Sequence, residues 1–142
     1  MRALLDVNVL IALFDADHSL HAPAFKWFAE YGKSGWASCP LTQNGCIRVM
    51  SQPGYANPIP VDAVAGRLRE AVADRHHEFW PDELSLLDEQ AIDTTRVHGP
   101  KQLTDVYLLA LAVGRGGRLV TFDRSLPVDA VLKAQKKNLV VI

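Results

Sequence analysis

Three aspartates carry the chemistry this sequence has to offer. Asp6 closes the short apolar run Leu4-Leu5, Asp105 follows Thr104 at the opening of an apolar helix, and Asp123 closes Leu119-Val120-Thr121-Phe122. In a parallel α/β sheet, strand ends and helix starts share one rim, and ligands bind at that rim. Carboxylates gathered there repel one another and hold protons unless a cation neutralises them. The natural counter-charge is a hard divalent ion, Mg²⁺ with Mn²⁺ as a substitute, because it takes oxygen ligands and keeps waters for a phosphate substrate. Asn8, two residues past Asp6, and Thr104 are placed to orient a carboxylate or a bound water. Each acid alone also has a structural use, since Asp caps helices and forms turns. Their recurrence at matching topological positions is what suggests a site.

The elements that must position these acids alternate along the chain. Short apolar runs at Arg2–Leu5, Trp36–Cys39, Glu83–Leu87, Arg118–Phe122 and Leu139–Ile142 read as about five strands. Helical patterns fill the intervals at 7–14, 21–31, 41–50, 61–75, 103–113 and 128–135, with a weaker, polar one at 90–98. The stripe Val64, Leu68 and Val72 against Arg67, Arg69, Glu70 and Asp74 marks one as clearly amphipathic. Ser51 to Pro58 can be neither strand nor helix, and reads as a loop that carries the ring of Tyr55. Strands alternating with helices predict a three-layer α/β/α fold around a central parallel sheet, formed by one domain over residues 1–142.

Bulk properties narrow the function. The 142 residues are 49% hydrophobic and 22% charged, ordinary for a folded domain, and no stretch approaches the ~20 apolar residues of a membrane span. Asp6, Asn8, Asp15 and Asp17 interrupt any signal-peptide core, so a cytoplasmic protein is expected. A net charge of −1 excludes a polycation that coats nucleic acid. Cys39 and Cys46 have neither zinc nor redox spacing and read as buried thiols. The five histidines lack any metal-ligand register, and Gly114-Arg115-Gly116-Gly117 is a helix stop.

Four blocks in order make the sequence resemble the PIN-domain family, in particular its VapC-type toxins. They are Leu5-Asp6-Val7-Asn8-Val9-Leu10, Leu41-Thr42-Gln43-Asn44-Gly45 running to Arg48-Val49-Met50-Ser51, Leu103 to Ala112 with Thr104-Asp105, and Leu119-Val120-Thr121-Phe122-Asp123. The resemblance implies a Mg²⁺-dependent endoribonuclease, the toxin of a toxin–antitoxin pair. Asp6, Asp105 and Asp123 match the family's acidic positions, as catalytic residues and metal ligands. It also implies a homodimer and inhibition by a cognate VapB-type antitoxin. One departure stands out: where many relatives have a glutamate after the second strand, this chain reads Gln43-Asn44. An amide offers an oxygen but no charge, which bears on how tightly a second metal would bind.

RNA recognition favours splayed bases stacked on aromatic rings and a backbone held by basic groups. Arg48, Tyr55, Arg115 and Arg124 are the candidates, on their expected nearness to the rim. A haloacid-dehalogenase-type phosphohydrolase would need a second Asp where Asn8 stands. The stronger alternative is a catalytically weakened PIN-like module that binds RNA or protein without cutting.

Overall fold

The computed structural model describes all of residues 1–142. Five parallel strands lie in the order β3-β2-β1-β4-β5, with β1 at Ala3–Leu5, β2 at Trp36–Ser38, β3 at His77–Phe79, β4 at Arg118–Thr121 and β5 at Leu139–Val141. The helices are α1 (Val7–Phe14), α2 (His21–Tyr31), α3 (Pro40–Ser51), α4 (Val61–Val72) and α5 (Leu103–Gly114).

Alternation along β1 assigns the two faces. Ala3 and Leu5 join Val9, Leu10, Trp27, Cys46, Met50, Val64 and Leu68, so α1 to α4 cover one side. Leu4 joins Val106, Leu108, Leu109, Leu111 and Leu119, so α5 covers the other together with irregular chain around Trp80, Ile92 and Val131. Leu4 and Leu5 are fully buried, each contributing about 1.5–3 kcal/mol by leaving water. A strand buried on both faces reads as continuous apolar sequence, which is why β1 and β4 show so plainly.

Three expected elements differ. The third strand is His77–Phe79, not Glu83–Leu87. It is an exposed edge, docked on β2 by backbone pairing, by the Arg2 guanidinium donating to the His76 carbonyl at 2.6 Å, and by Trp36 lying edge-on to His77. None of these leaves an alternating apolar pattern. Leu84 and Leu86 instead pack as irregular chain under α5. The expected helix at 128–135 is a single 3₁₀ turn, Val128–Ala130, after which Val131 bridges Ile92 antiparallel. The polar segment 90–98 keeps only the 3₁₀ turn Thr94–Arg96, capped by the Asp93 side chain.

One close approach fixes α3 against α1. A Cβ on Gly45 would lie 2.7 Å from Cγ2 of Val7, a distance real side chains do not tolerate. Gly45 therefore lets the second turn of α3 touch the first residue of α1, beside Asp6.

Candidate active site

β1 sits at the centre of the sheet: the chain winds outward through β2 and β3, then returns to the other side of β1 for β4 and β5. The crevice of an open α/β sheet forms where the winding direction reverses, between the carboxyl ends of β1 and β4. Asp6 and Asp123 follow those two strands, and Asp105 stands in the first turn of α5. The Asp6 N–H donates to the Val120 carbonyl at 3.0 Å, carrying the ladder up to the acid itself.

Asp6 is 4% exposed. Its Oδ1 accepts from the Val7 N–H at 2.7 Å and its Oδ2 from the Thr121 hydroxyl at 2.7 Å. It is thus both the cap of α1 and a member of the acid group. Burial pushes its carboxyl up, the two hydrogen bonds pull it down, and the charge of Asp123 pushes it up again. Asp123 is held by Ser125, whose backbone N–H and hydroxyl donate to its Oδ1 at 2.8 and 2.7 Å. Those bonds hold its carboxyl below the usual range. Asp105 has no such support. Burial, the charge of Asp6 and the facing Asp123 carboxylate push it up to about 7.

Sequence reasoning passed over Thr121. It is fully buried and takes both hydrogen-bonding roles, donating to Asp6 and accepting from the Asp123 N–H at 3.0 Å. The signal was present: in a strand, residues two apart share a face, so Thr121 had to lie beside Asp123. Ser125, two residues past Asp123, was likewise legible as an Asx-type turn.

The amides separate. Gln43 donates to the Ser38 hydroxyl at 2.9 Å and lines a groove with Ala65, Leu68, Arg69 and Val72, so it faces α4. Asn44 is exposed and lies between Leu41, which shares a cavity with Thr104, and Gly45, which touches Val7. Of the two amides, Asn44 is therefore the one on the α3 face turned toward the start of α1, with Arg48 one turn further along the same face. Asn8, exposed in the first turn of α1, and Arg124, exposed next to Asp123, are also at this rim.

Arg115 and Tyr55 are not. Helices leave the rim at their amino ends, so residues beyond their carboxyl ends belong to the opposite pole, about 18 Å away for a 12-residue helix. Arg115 caps the far end of α5 and ion-pairs with Glu83. Tyr55 follows α3, its hydroxyl donates to Asp15 beyond the far end of α1, and its ring packs on the α1–α4 core. It braces a loop. The expectation that these two lie near the acids is corrected on that ground.

The PIN domain family model matches residues 3–130. The chain belongs to the PIN-domain family. Within it the chain is of the VapC type: it is 52% identical over 142 residues to Ribonuclease VapC44 of Mycobacterium tuberculosis, covering 100% of both chains. Two solved structures share the PIN fold at 10% identity. Mycobacterium tuberculosis VapC20, described as a Sarcin-Ricin loop cleaving toxin, superposes with a TM-score of 0.64 over 93% of this chain and 98% of its own. VapBC2 from Rickettsia felis, bound to a DNA fragment from their promoter, gives 0.63 over 100% and 99%.

In this PIN domain the acid group is oxygen-only and mutually repelling, with one carboxyl pushed up to about 7 by burial and by the neighbouring Asp6 and Asp123. That donor chemistry fits a hard divalent cation. No three acid, histidine or cysteine side chains converge as a ready-made cage, so the fit rests on the donors and their repulsion.

Proposed function

We propose that this PIN domain is a divalent-metal-dependent endoribonuclease, the toxin of a toxin–antitoxin pair, with Asp6, Asp105 and Asp123 as its metal-holding and catalytic residues. The observation that carries the reading is the like-charged aspartate group at the β1/β4 crevice, with Asp105 pushed up to about 7. The ribonuclease name of the 52% identical VapC44 supports RNA as substrate.

A bound Mg²⁺ or Mn²⁺ would polarise the scissile phosphate and lower the pKa of water. The protein's own groups prepare for it. Asp6, kept rigid by the Val7 N–H and Thr121, retains a free lone pair on each oxygen. Asp123, fixed by Ser125, stays ionised and aligns what approaches the crevice. Asp105 gives up its proton near neutrality, which matches the charge a cation brings. Asn44 supplies an uncharged oxygen in place of a fourth acid, and Asn8 and Thr104 flank the group. Arg48 and Arg124 are the basic side chains placed to hold RNA phosphates.

A VapB-type antitoxin and a second copy of the chain are the proposed partners; the VapBC2 assembly supports the first. Asn44 in place of an acid favours one rival, a module that binds RNA without cutting. Incubating the purified chain with total RNA, in Mg²⁺ or Mn²⁺ and in EDTA, beside Asp6→Asn, separates the two. Discrete metal-dependent products absent from the variant support the nuclease; bound but intact RNA supports the module.

A further inference from the structure

Asp6 and Asp123 are tied together through Thr121, whereas the Asp105 carboxyl meets Asp123 with no side chain between them. Gln102 stands three residues before Asp105, so the two share a face where α5 begins. Its backbone is set by the 3₁₀ turn Pro100–Gln102, its N–H donating to the Gly99 carbonyl at 3.1 Å. Its side-chain amide is used at both ends. Oε1 accepts from the His98 N–H at 2.9 Å, and Nε2 donates to the Ser125 carbonyl at 3.4 Å. The first partner can only donate and the second can only accept, so the network fixes which way the amide points.

Ser125 is the residue whose N–H and hydroxyl hold the Asp123 carboxylate, at 2.8 and 2.7 Å. A continuous chain therefore runs from the head of α5, through the Gln102 amide and Ser125, to Asp123. Apart from the contact of the acids themselves, the Gln102–Ser125 bond is the one hydrogen bond joining residues 98–105 to residues 121–127. Leu126 and Val106 share the apolar core under α5, but burial has no direction and does not aim a carboxylate.

Resting on the metal-holding reading above, we propose that Gln102 is a positioning residue. Its amide spans from the head of α5 to the Ser125 turn and sets how far Asp105 stands from Asp123 for a divalent cation. Such groups work when held to within about 0.5 Å of the productive geometry. Few side chains could take its place: asparagine is one methylene shorter, glutamate lacks the donor and lysine lacks the acceptor. The bond to Ser125 is long for its kind, so the expected effect is at the small end for groups that support metal-holding side chains, about tenfold.

The test compares the full native chain with Gln102→Met, which keeps the length and loses both bonds, and Gln102→Asn, which keeps the amide but falls short. In metal-free protein, NMR order parameters of residues 123–125 are expected to fall in both variants from about 0.85 toward 0.6. Urea midpoints stay at the native value, since both bonds lie at the surface. Mn²⁺ affinity, measured by calorimetry, weakens about tenfold in both. Order parameters or Mn²⁺ affinity unchanged in Gln102→Met overturn the proposal, as does a Gln102→Asn variant indistinguishable from native. The two readings fail separately. A native chain that binds Mn²⁺ but cuts no RNA sinks the nuclease, and the affinities still judge Gln102. A native chain that binds no Mn²⁺ sinks the metal site, and the order parameters then decide whether the amide holds the turn.

Discussion

The hydroxyl of Thr121 donates to Oδ2 of Asp6 across 2.7 Å of space and 115 residues of sequence. Because the Thr121 hydroxyl oxygen also accepts from the Asp123 N–H, one buried threonine sets the spacing between the acids of β1 and β4. It is the hinge-pin of the crevice, although it has no charge and no catalytic chemistry of its own.

Thr121→Val keeps the shape and removes both bonds. The buried Asp6 oxygen and the Asp123 N–H then lose their partner, and urea unfolding is expected to show a loss of about 1–3 kcal/mol. Cleavage falls roughly 10- to 100-fold, as for other groups that support metal-holding side chains. Thr121→Ser restores most of both; a Val variant with full activity would show that the acids need no such brace.

Asp105 makes the metal-free protein pH-sensitive in a definite direction. Its folded carboxyl lies up at about 7, while the unfolded chain releases the proton near 3.8. Between those values the folded state holds the extra proton, so stability is greatest below 3.8 and is lost as pH rises through 7. In EDTA at pH 8, Asp105→Asn is expected to raise Tm by roughly 3–6 °C, about 1–2 kcal/mol after discounting for solvent around a half-buried group. Mg²⁺ raises Tm of the native chain and leaves the variant nearly unmoved. Identical melting curves for the two proteins in EDTA would remove the repulsion from the account.

Proton competition gives a second readout of the same acid. Mn²⁺ affinity measured by calorimetry should weaken about tenfold per unit as pH drops below about 7, and be flat above it. Affinity independent of pH from 5 to 8 would exclude Asp105 as a ligand.

Gln43 and Asn44 are expected to respond differently, although they are neighbours. Gln43→Ala breaks the contact with Ser38, which also lies 2.8 Å from the His77 ring nitrogen, and costs about 1 kcal/mol of stability. Its cleavage is unchanged. Asn44→Ala leaves stability alone and lowers cleavage, and Asn44→Asp tightens Mn²⁺ binding by adding a fourth charge. The reverse pattern, measured by melting and single-turnover cleavage, would reassign the two amides.

Gly45→Ala places a methyl 2.7 Å from Val7 Cγ2. The expected loss is about 1–3 kcal/mol, recovered in large part by Val7→Ala in a double-mutant cycle. Additive losses in the cycle would mean that the glycine serves something other than the α1–α3 approach.

The buried parallel strands, the main helices and the three acids were legible because each follows from a local pattern. Leu4-Leu5-Asp6 and Leu119 to Asp123 state strand, end and carboxylate within a few letters. β3 was not legible, because an edge strand reading His77-Glu78-Phe79 is held by its partner's backbone and by Arg2 at the start of the central strand. The positions of Arg115 and Tyr55 were misjudged although chain order carries the signal: each follows the carboxyl end of a helix that starts at the rim, which puts it at the opposite pole. Thr121 was passed over because its type suits a strand, although its place two residues before Asp123 puts its hydroxyl on the acid's side.

The acids at the central crevice are also separated in time. Asp6 is synthesised 115 residues before Thr121, and β1 has no β4 to pair with until residues 118–121 exist. At about 5–20 residues per second, the interval from Asp6 to Thr121 takes roughly 6–23 s. Throughout that interval the growing chain carries half a site. The proposed nuclease site is thus incomplete on the ribosome by topology alone, and closes only once β4 has been made.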